Sequence, residues 1–220
     1  MVLLVLAVGI APWSAVAQEW PTLYLYVNDL TSPGALLSSE VDSLDSLCYE
    51  IDSLTTAEVA ILLVNTTLPY GIDLYAVQTF EANAVGKQGL DNGVLIVVSV
   101  DEGQWRVEVG YGLEGILPDS KVGTIGIETL TPALQVGDYY NGLFDATLLI
   151  GQEIVDNYSG PGGDPQLIVI DWWQVALGVA VVVGVGILTK GRVFLWIGHI
   201  FRRGGFGGGR SGGGGARGRF

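Results

Sequence analysis

Five side chains in this sequence have the type and placement that loop chemistry uses: Asp29, the pair Asp91 and Asn92, Glu114 and Asp119. All of them offer oxygen. The only histidine is His199, close to the C-terminal end, and Cys48 is the only cysteine. The region that carries the five therefore has no Ser-His-Asp triad, no histidine-based zinc site and no thiolate pair. Oxygen donors suit Ca2+ or Mg2+. Several carboxylates drawn close together repel unless a proton or a cation lies between them. The five are thus candidate ligands of one or more divalent ions. Each acid also has a plain structural role open to it. Asp91-Asn92-Gly93 can be a turn, and Asp119 can cap a helix. Tyr111 could line the site or only pack its loop, and Arg106 could pair with a strand neighbour or meet a phosphate.

Glu114 and Asp119 belong to the stretch Arg106–Asp119. It opens with Val107 and Val109 alternating with Arg106 and Glu108, the period of a half-buried strand. Glycines at 110, 112 and 115 then break the strand into a loop. Their spacing matches the dinucleotide fingerprint, which requires a helix to begin at the third glycine. Here Ile116-Leu117-Pro118 follows, proline disfavours helix in the residue before it, and Glu114 would repel phosphate. Nucleotide binding is set aside.

The elements that must position these residues can be read in order. Tyr24–Val27 is a short strand running into Asn28-Asp29. Ser38 or Ser39 can cap a helix with Val41, Leu44, Cys48, Ile51 and Leu54 on its inner stripe. Cys48 is then a small buried hydrophobe. Glu58–Asn65 holds a continuous apolar run that reads as a central strand covered on both faces. A second amphipathic helix over 72–85 turns Leu74, Val77, Phe80 and Ala84 inward. Val94–Val100 is a second buried strand, and Asp101–Gln104 turns the chain so that Trp105–Val109 returns antiparallel. Ser120–Leu130 is a helix stopped by Pro132, and Asp138 caps a last helix through Leu143, Phe144, Leu148 and Ile154. The fold class is α/β: a three-layer domain with a mostly parallel central sheet and helices on both faces, plus one C-terminal transmembrane helix. In this arrangement Asp29 and the 110–119 loop share one edge, and Asp91 reaches it through the 86–93 loop.

Four ordered motifs carry a family resemblance. They are Val27-Asn28-Asp29, Asp91-Asn92-Gly93-Val94-Leu95, Gly110-Tyr111-Gly112-Leu113-Glu114-Gly115-x-Leu117-x-Asp119, and Gly137-Asp138-Tyr139-Tyr140-x-Gly142. Together, over roughly residues 24–156, they resemble the TPM domain. That family includes a thylakoid-lumen acid phosphatase, a photosystem II repair factor and many bacterial and archaeal membrane proteins. The resemblance implies divalent-metal binding by acidic loop residues. It leaves two functions open: metal-assisted phosphomonoester hydrolysis, or an interaction module used in assembly or quality control. The residues favour the module, since the chain has no Asp-x-Asp phosphorylation motif and only three basic side chains before 190 to meet an anionic substrate.

Charge and hydropathy set the layout. All 23 Asp and Glu lie between Glu19 and Asp171, opposed there only by Lys87, Arg106 and Lys121, a net of −20. Such a domain repels nucleic acid and attracts cations. Residues 1–17 are apolar and end Ala15-Val16-Ala17, a signal-peptide cleavage pattern. Residues 18–156 form the extracytoplasmic domain and 157–171 a linker. Residues 172–189 carry no charge, are long enough to cross a bilayer, and start with Trp172 and Trp173 at the interface. Residues 190–220 are a basic, glycine-rich tail, flexible and cytoplasmic by the positive-inside rule. The expected partners are the lipid bilayer and another membrane or secreted protein.

Overall fold

The computed structural model describes residues 20–158 and 207–220. The segments expected to be a signal peptide (1–17) and a transmembrane helix (172–189) lie outside the described residues. No helix among the described residues is long and apolar enough to cross a membrane.

In chain order the elements are β1 (Val27–Asp29), α1 (Ser38–Thr55), β2 (Glu58–Val64), α2 (Ile72–Asn83), β3 (Gly93–Ser99), β4 (Gln104–Gly110), α3 (Asp119–Ile125), a π-helical turn (Gly126–Leu130), α4 (Thr131–Gln135), α5 (Tyr139–Asn157) and β5 (Ser211–Arg219). The strands form one sheet in the order β1-β2-β3-β4-β5. The first three run parallel; β4 returns antiparallel on β3, and β5 pairs antiparallel with β4. The sheet is therefore mixed rather than mostly parallel. The difference is made by the C-terminal segment. Expected to be a flexible tail, it is a fifth strand.

Two cores sandwich this sheet. Val59, Ile61 and Leu63 of β2, with Val94, Ile96 and Val98 of β3, pack against α1, α3 and α5. The alternate residues Ala60, Leu62, Leu95 and Val97 pack against α2, which lies on the other face. Helices thus cover both faces, and the period-two alternation of a strand buried on both sides is what allows it. β1 sits later than its sequence pattern placed it, so Asp29 is the last residue of the strand. Helix α1 begins at Ser38 and is closed by Glu40, whose carboxylate accepts the Leu37 N–H at 2.7 Å. Its buried stripe is Leu44, Cys48, Ile51 and Thr55, with Leu54 exposed.

Two helices differ in phase or extent from the expectation. Helix α2 turns Ile72, Ala76, Thr79 and Phe80 inward, while Leu74 is exposed. Pro132 does not end the helical run after Asp119. The chain widens into the π turn at Gly126–Leu130 and continues into α4, where Pro132 is in the first turn and needs no donor. The π turn brings Gly126 against the Trp105 ring, which is fully buried and donates to Thr131 Oγ1 at 2.9 Å. Asp138 caps α5 as expected, accepting the Asn141 N–H at 3.2 Å.

Candidate strand-binding edge

The antiparallel return of β4 decides where the candidate residues go. Glu58 pairs with Gly93 at the N-terminal end of the parallel strands, and Val94 pairs with Val109, so the loop after Gly110 leaves at that end. Asp29 pairs with Leu63 at the opposite end. The two ends are roughly 15–20 Å apart along β2. Asp29 therefore does not share an edge with the 110–119 loop; Asp91, which starts from the N-terminal end of β3, does.

At its own end Asp29 is occupied by backbone. Oδ1 accepts the Thr31 N–H at 3.0 Å and the Thr31 hydroxyl at 2.6 Å, and Oδ2 accepts the Leu36 N–H at 2.8 Å. The carboxylate closes the loop between β1 and α1. Asn92 is fully buried; its Oδ1 accepts the Lys87 N–H at 2.8 Å and its Nδ2 donates to the Thr56 carbonyl at 2.9 Å. It fixes the shape of the 86–92 loop.

The other three acids lie along the C-terminal strand. Asp91 accepts the Arg210 N–H at 2.9 Å, and Asp119 accepts the Gly215 N–H at 2.8 Å. Glu114 flanks Gly214, where an added Cβ would come within 2.8 Å of its Oε1. Asp119 thus serves the tail rather than the cap of α3, whose N-cap position is Pro118. Among the described residues no group of three or more His, Cys, Asp or Glu side chains could hold a metal ion. The five oxygen donors are not gathered into one ligand set.

The tail runs the length of β4. At one end the Gln88 N–H donates to the Gly207 carbonyl at 3.0 Å and the Gly209 N–H to the Gly86 carbonyl at 2.8 Å. At the other end Phe220 donates its N–H to the Gly103 carbonyl at 2.9 Å and packs edge-on to Tyr139. Between them, Gln104 to Gly110 pair with Arg219 to Ser211, with a register irregularity at Val109/Gly110. Glycine is required by close approach at several tail positions, among them 209, 215 and 218. A Cβ at 215 would overlap the Val107 carbonyl oxygen, and one at 218 would enter the Trp105 ring.

Side chains add a charged lattice on the α2 face. Arg106 donates to Glu108 Oε2 through Nε at 2.9 Å and through a terminal nitrogen at 2.5 Å. It also donates to Asp73 Oδ1 and to the Gly213 carbonyl, both at 3.0 Å. Ser211 donates its hydroxyl to Glu108, and Arg217 of the tail pairs with Asp73. Glu108 is 0% exposed. Burial raises its carboxyl above the ordinary range, against the lowering pull of Ser211 and Arg106. The polar face of β4, expected to meet water, is covered by α2 and the tail.

A family model for the TPM domain matches residues 27–153, more than half of the chain. The chain belongs to the TPM domain family. The match runs from β1 into α5 and leaves the tail outside. No curated protein matches the chain. Among solved structures, the N-terminal domain of a protein from P. gingivalis is 24% identical, with a TM-score of 0.52 over 60% of this chain and 82% of that one. The BA42 protein from the psychrophilic bacterium Bizionia argentinensis is 20% identical, with a TM-score of 0.51 over 56% of this chain and 83% of that one. At these identities the likeness is one of fold.

Within the TPM domain a second polar cluster lies beside the tail entry, and the motifs did not reveal it. Lys87 Nζ is 2.5 Å from Glu58 Oε1 and 3.0 Å from Asp52 Oδ2. Glu58 Oε2 accepts the Gly86 N–H at 2.7 Å, and Asp52 accepts the Tyr26 hydroxyl at 2.6 Å. Burial alone would lower the Lys87 ammonium, but the hydrogen bonds and charges of Glu58 and Asp52 hold it above its ordinary value. Burial, reinforced by Asp52, likewise raises the Tyr26 phenol. The available signals were that Lys87 is the only basic residue before Arg106, and that Glu58 opens an otherwise apolar buried run.

Proposed function

We propose that this TPM-domain protein is an interaction module, held at a membrane by residues 172–189 with the acidic domain outside the cytoplasm, and that its working surface is the β4 edge. One observation carries the reading. The loop acids Asp91 and Asp119 accept backbone N–H groups of an added strand. That is the chemistry of strand addition, in which main-chain pairing gives affinity and side-chain pockets give selectivity. The surplus of negative charge around this edge favours a basic strand.

Binding of Ca2+ or Mg2+ at this edge is a separate proposal, and it falls on Asp91 and Asp119 individually, because no set of three acids is gathered among the described residues. A cation there would compete with the tail for the same oxygens, and no step of the present reading runs through it. The test uses the full chain purified in mild detergent, assayed against a phosphomonoester with and without Ca2+ and Mg2+. The module reading expects no turnover above buffer. Ion-dependent turnover that disappears in Asp119→Ala would replace it with metal-assisted hydrolysis.

A further inference from the structure

We infer that the β4 edge is a peptide site selective for a glycine-rich, basic C-terminal strand, filled here by the chain's own residues 207–220 and open to the same segment of a second copy. The inference rests on the strand-addition reading and names its ligand. Three observations carry it. The first is fit. Seven backbone pairs, Ser211 on the buried Glu108 and Arg217 on Asp73 together read the tail, and Gly215 and Gly218 sit where only glycine avoids Val107 and Trp105.

The second is separability. The TPM domain match ends at 153, so the strand that fills the edge lies outside the matched unit. The third is weak anchoring. Five of the nine β5 residues are glycine, and Ala216 and Phe220 are the apolar residues of 207–220 that pack against the core. Glycine loses more conformational freedom on ordering than any other residue, and little apolar burial offsets that loss here. A strand held this way exchanges. Forty-eight residues separate Tyr158 from Gly207, so the tail is not joined to the domain by a short turn. An identical tail on a neighbouring molecule presents the same residues to the edge.

The experiment uses the full chain and a variant that stops after residue 206, both in mild detergent, with a fluorescent peptide of residues 207–220. The shortened chain should bind the peptide saturably, and the intact chain about tenfold or more weaker, because its own tail competes. Peptides carrying Gly215→Val or Gly218→Val should lose at least about a hundredfold, by the overlap of the added atoms with Val107 and Trp105. Arg217→Ala should lose about threefold to tenfold, more at low salt. A peptide of alternating threonine and lysine is the control. If it binds as well as the tail peptide, tail selectivity is overturned while strand addition stands. If neither peptide binds a shortened chain that still melts cooperatively, both fall. Hydrogen exchange on the intact chain needs no variant. Amides of 211–219 should exchange at least about a hundredfold faster than those of 94–98. Equal protection would make β5 a constitutive strand and overturn the inference.

Discussion

Lys87 bridges two acids of the TPM domain, Glu58 and Asp52. Glu58 is 1% exposed, and Lys87 is its only cationic partner among the described residues. Removing one member of such a pair leaves a buried charge without compensation. Lys87→Met should therefore lower unfolding free energy by about 3 kcal/mol at pH 7, measured by urea denaturation. The pH dependence has a definite sign. The folded-state value of Lys87 lies above its ordinary 10.5. Its contribution is complete below the unfolded value and is lost as pH rises through the folded one. The intact protein should weaken above about pH 10.5, and Lys87→Met should lack that limb. The acids divide by role in the same way. Asp29→Ala removes the acceptor for the Thr31 and Leu36 amides and should cost about 1–2 kcal/mol without changing tail-peptide affinity. Asp119→Ala should do the reverse, weakening the peptide and sparing the melt of the domain.

At the scale of elements, the π turn and the Trp105 strand are matched surfaces. Trp105 is fully buried between Gly126 on one side and Gly218 on the other, and a Cβ at either position would overlap its ring. Gly126→Ala should lower stability by about 2–3 kcal/mol through overpacking, read as a shift in the denaturation midpoint. The strands were legible where chemistry is periodic or continuous. Val59–Val64 and Val94–Val98 announced buried strands, and Asp101–Gln104 announced the antiparallel return. That return already implied that the loop after β4 leaves from the end away from Asp29, since the chain had reversed direction once. Helix α2 departs from its hydropathy pattern, in which Leu74 and Val77 outrank Ala76 and Thr79. Shape decided otherwise: Ala76 and Thr79 let the helix lie close to the sheet, with Phe80 as the anchor. The fifth strand left no trace, because a run of glycine has no side-chain alternation. It pairs through backbone, and its information lies in atoms it lacks. Arg106 and Glu108 looked like a solvent face for the same reason: their cover was invisible.

The molecule as a whole poses a question of sides. A domain with 20 acids against three basic residues over 20–158, a net of −17, meets a tail carrying Arg210, Arg217 and Arg219, and the strand pairing joins them directly. Pairing requires residues 20–158 and 207–220 to share a compartment. A single crossing at 172–189 would separate them, so a cytoplasmic tail and a docked β5 cannot coexist in one molecule. The docked arrangement makes a concrete demand. Arg219 and Tyr24 are both exposed, and the native Cys48 is fully buried, its thiol raised by that burial. In sealed cells treated with a membrane-impermeant maleimide, Arg219→Cys and Tyr24→Cys should label together before permeabilisation, with the unsubstituted protein silent. If Arg219→Cys labels only after the membrane is opened, the tail lies across the bilayer from β4. Docking would then be excluded both within one copy and between copies. Co-labelling, in contrast, would mean that the chain between Tyr158 and Gly207 returns to the side it left. The basic tail would then serve as the counter-charge of its own acidic domain, in reach of any neighbour whose edge is free.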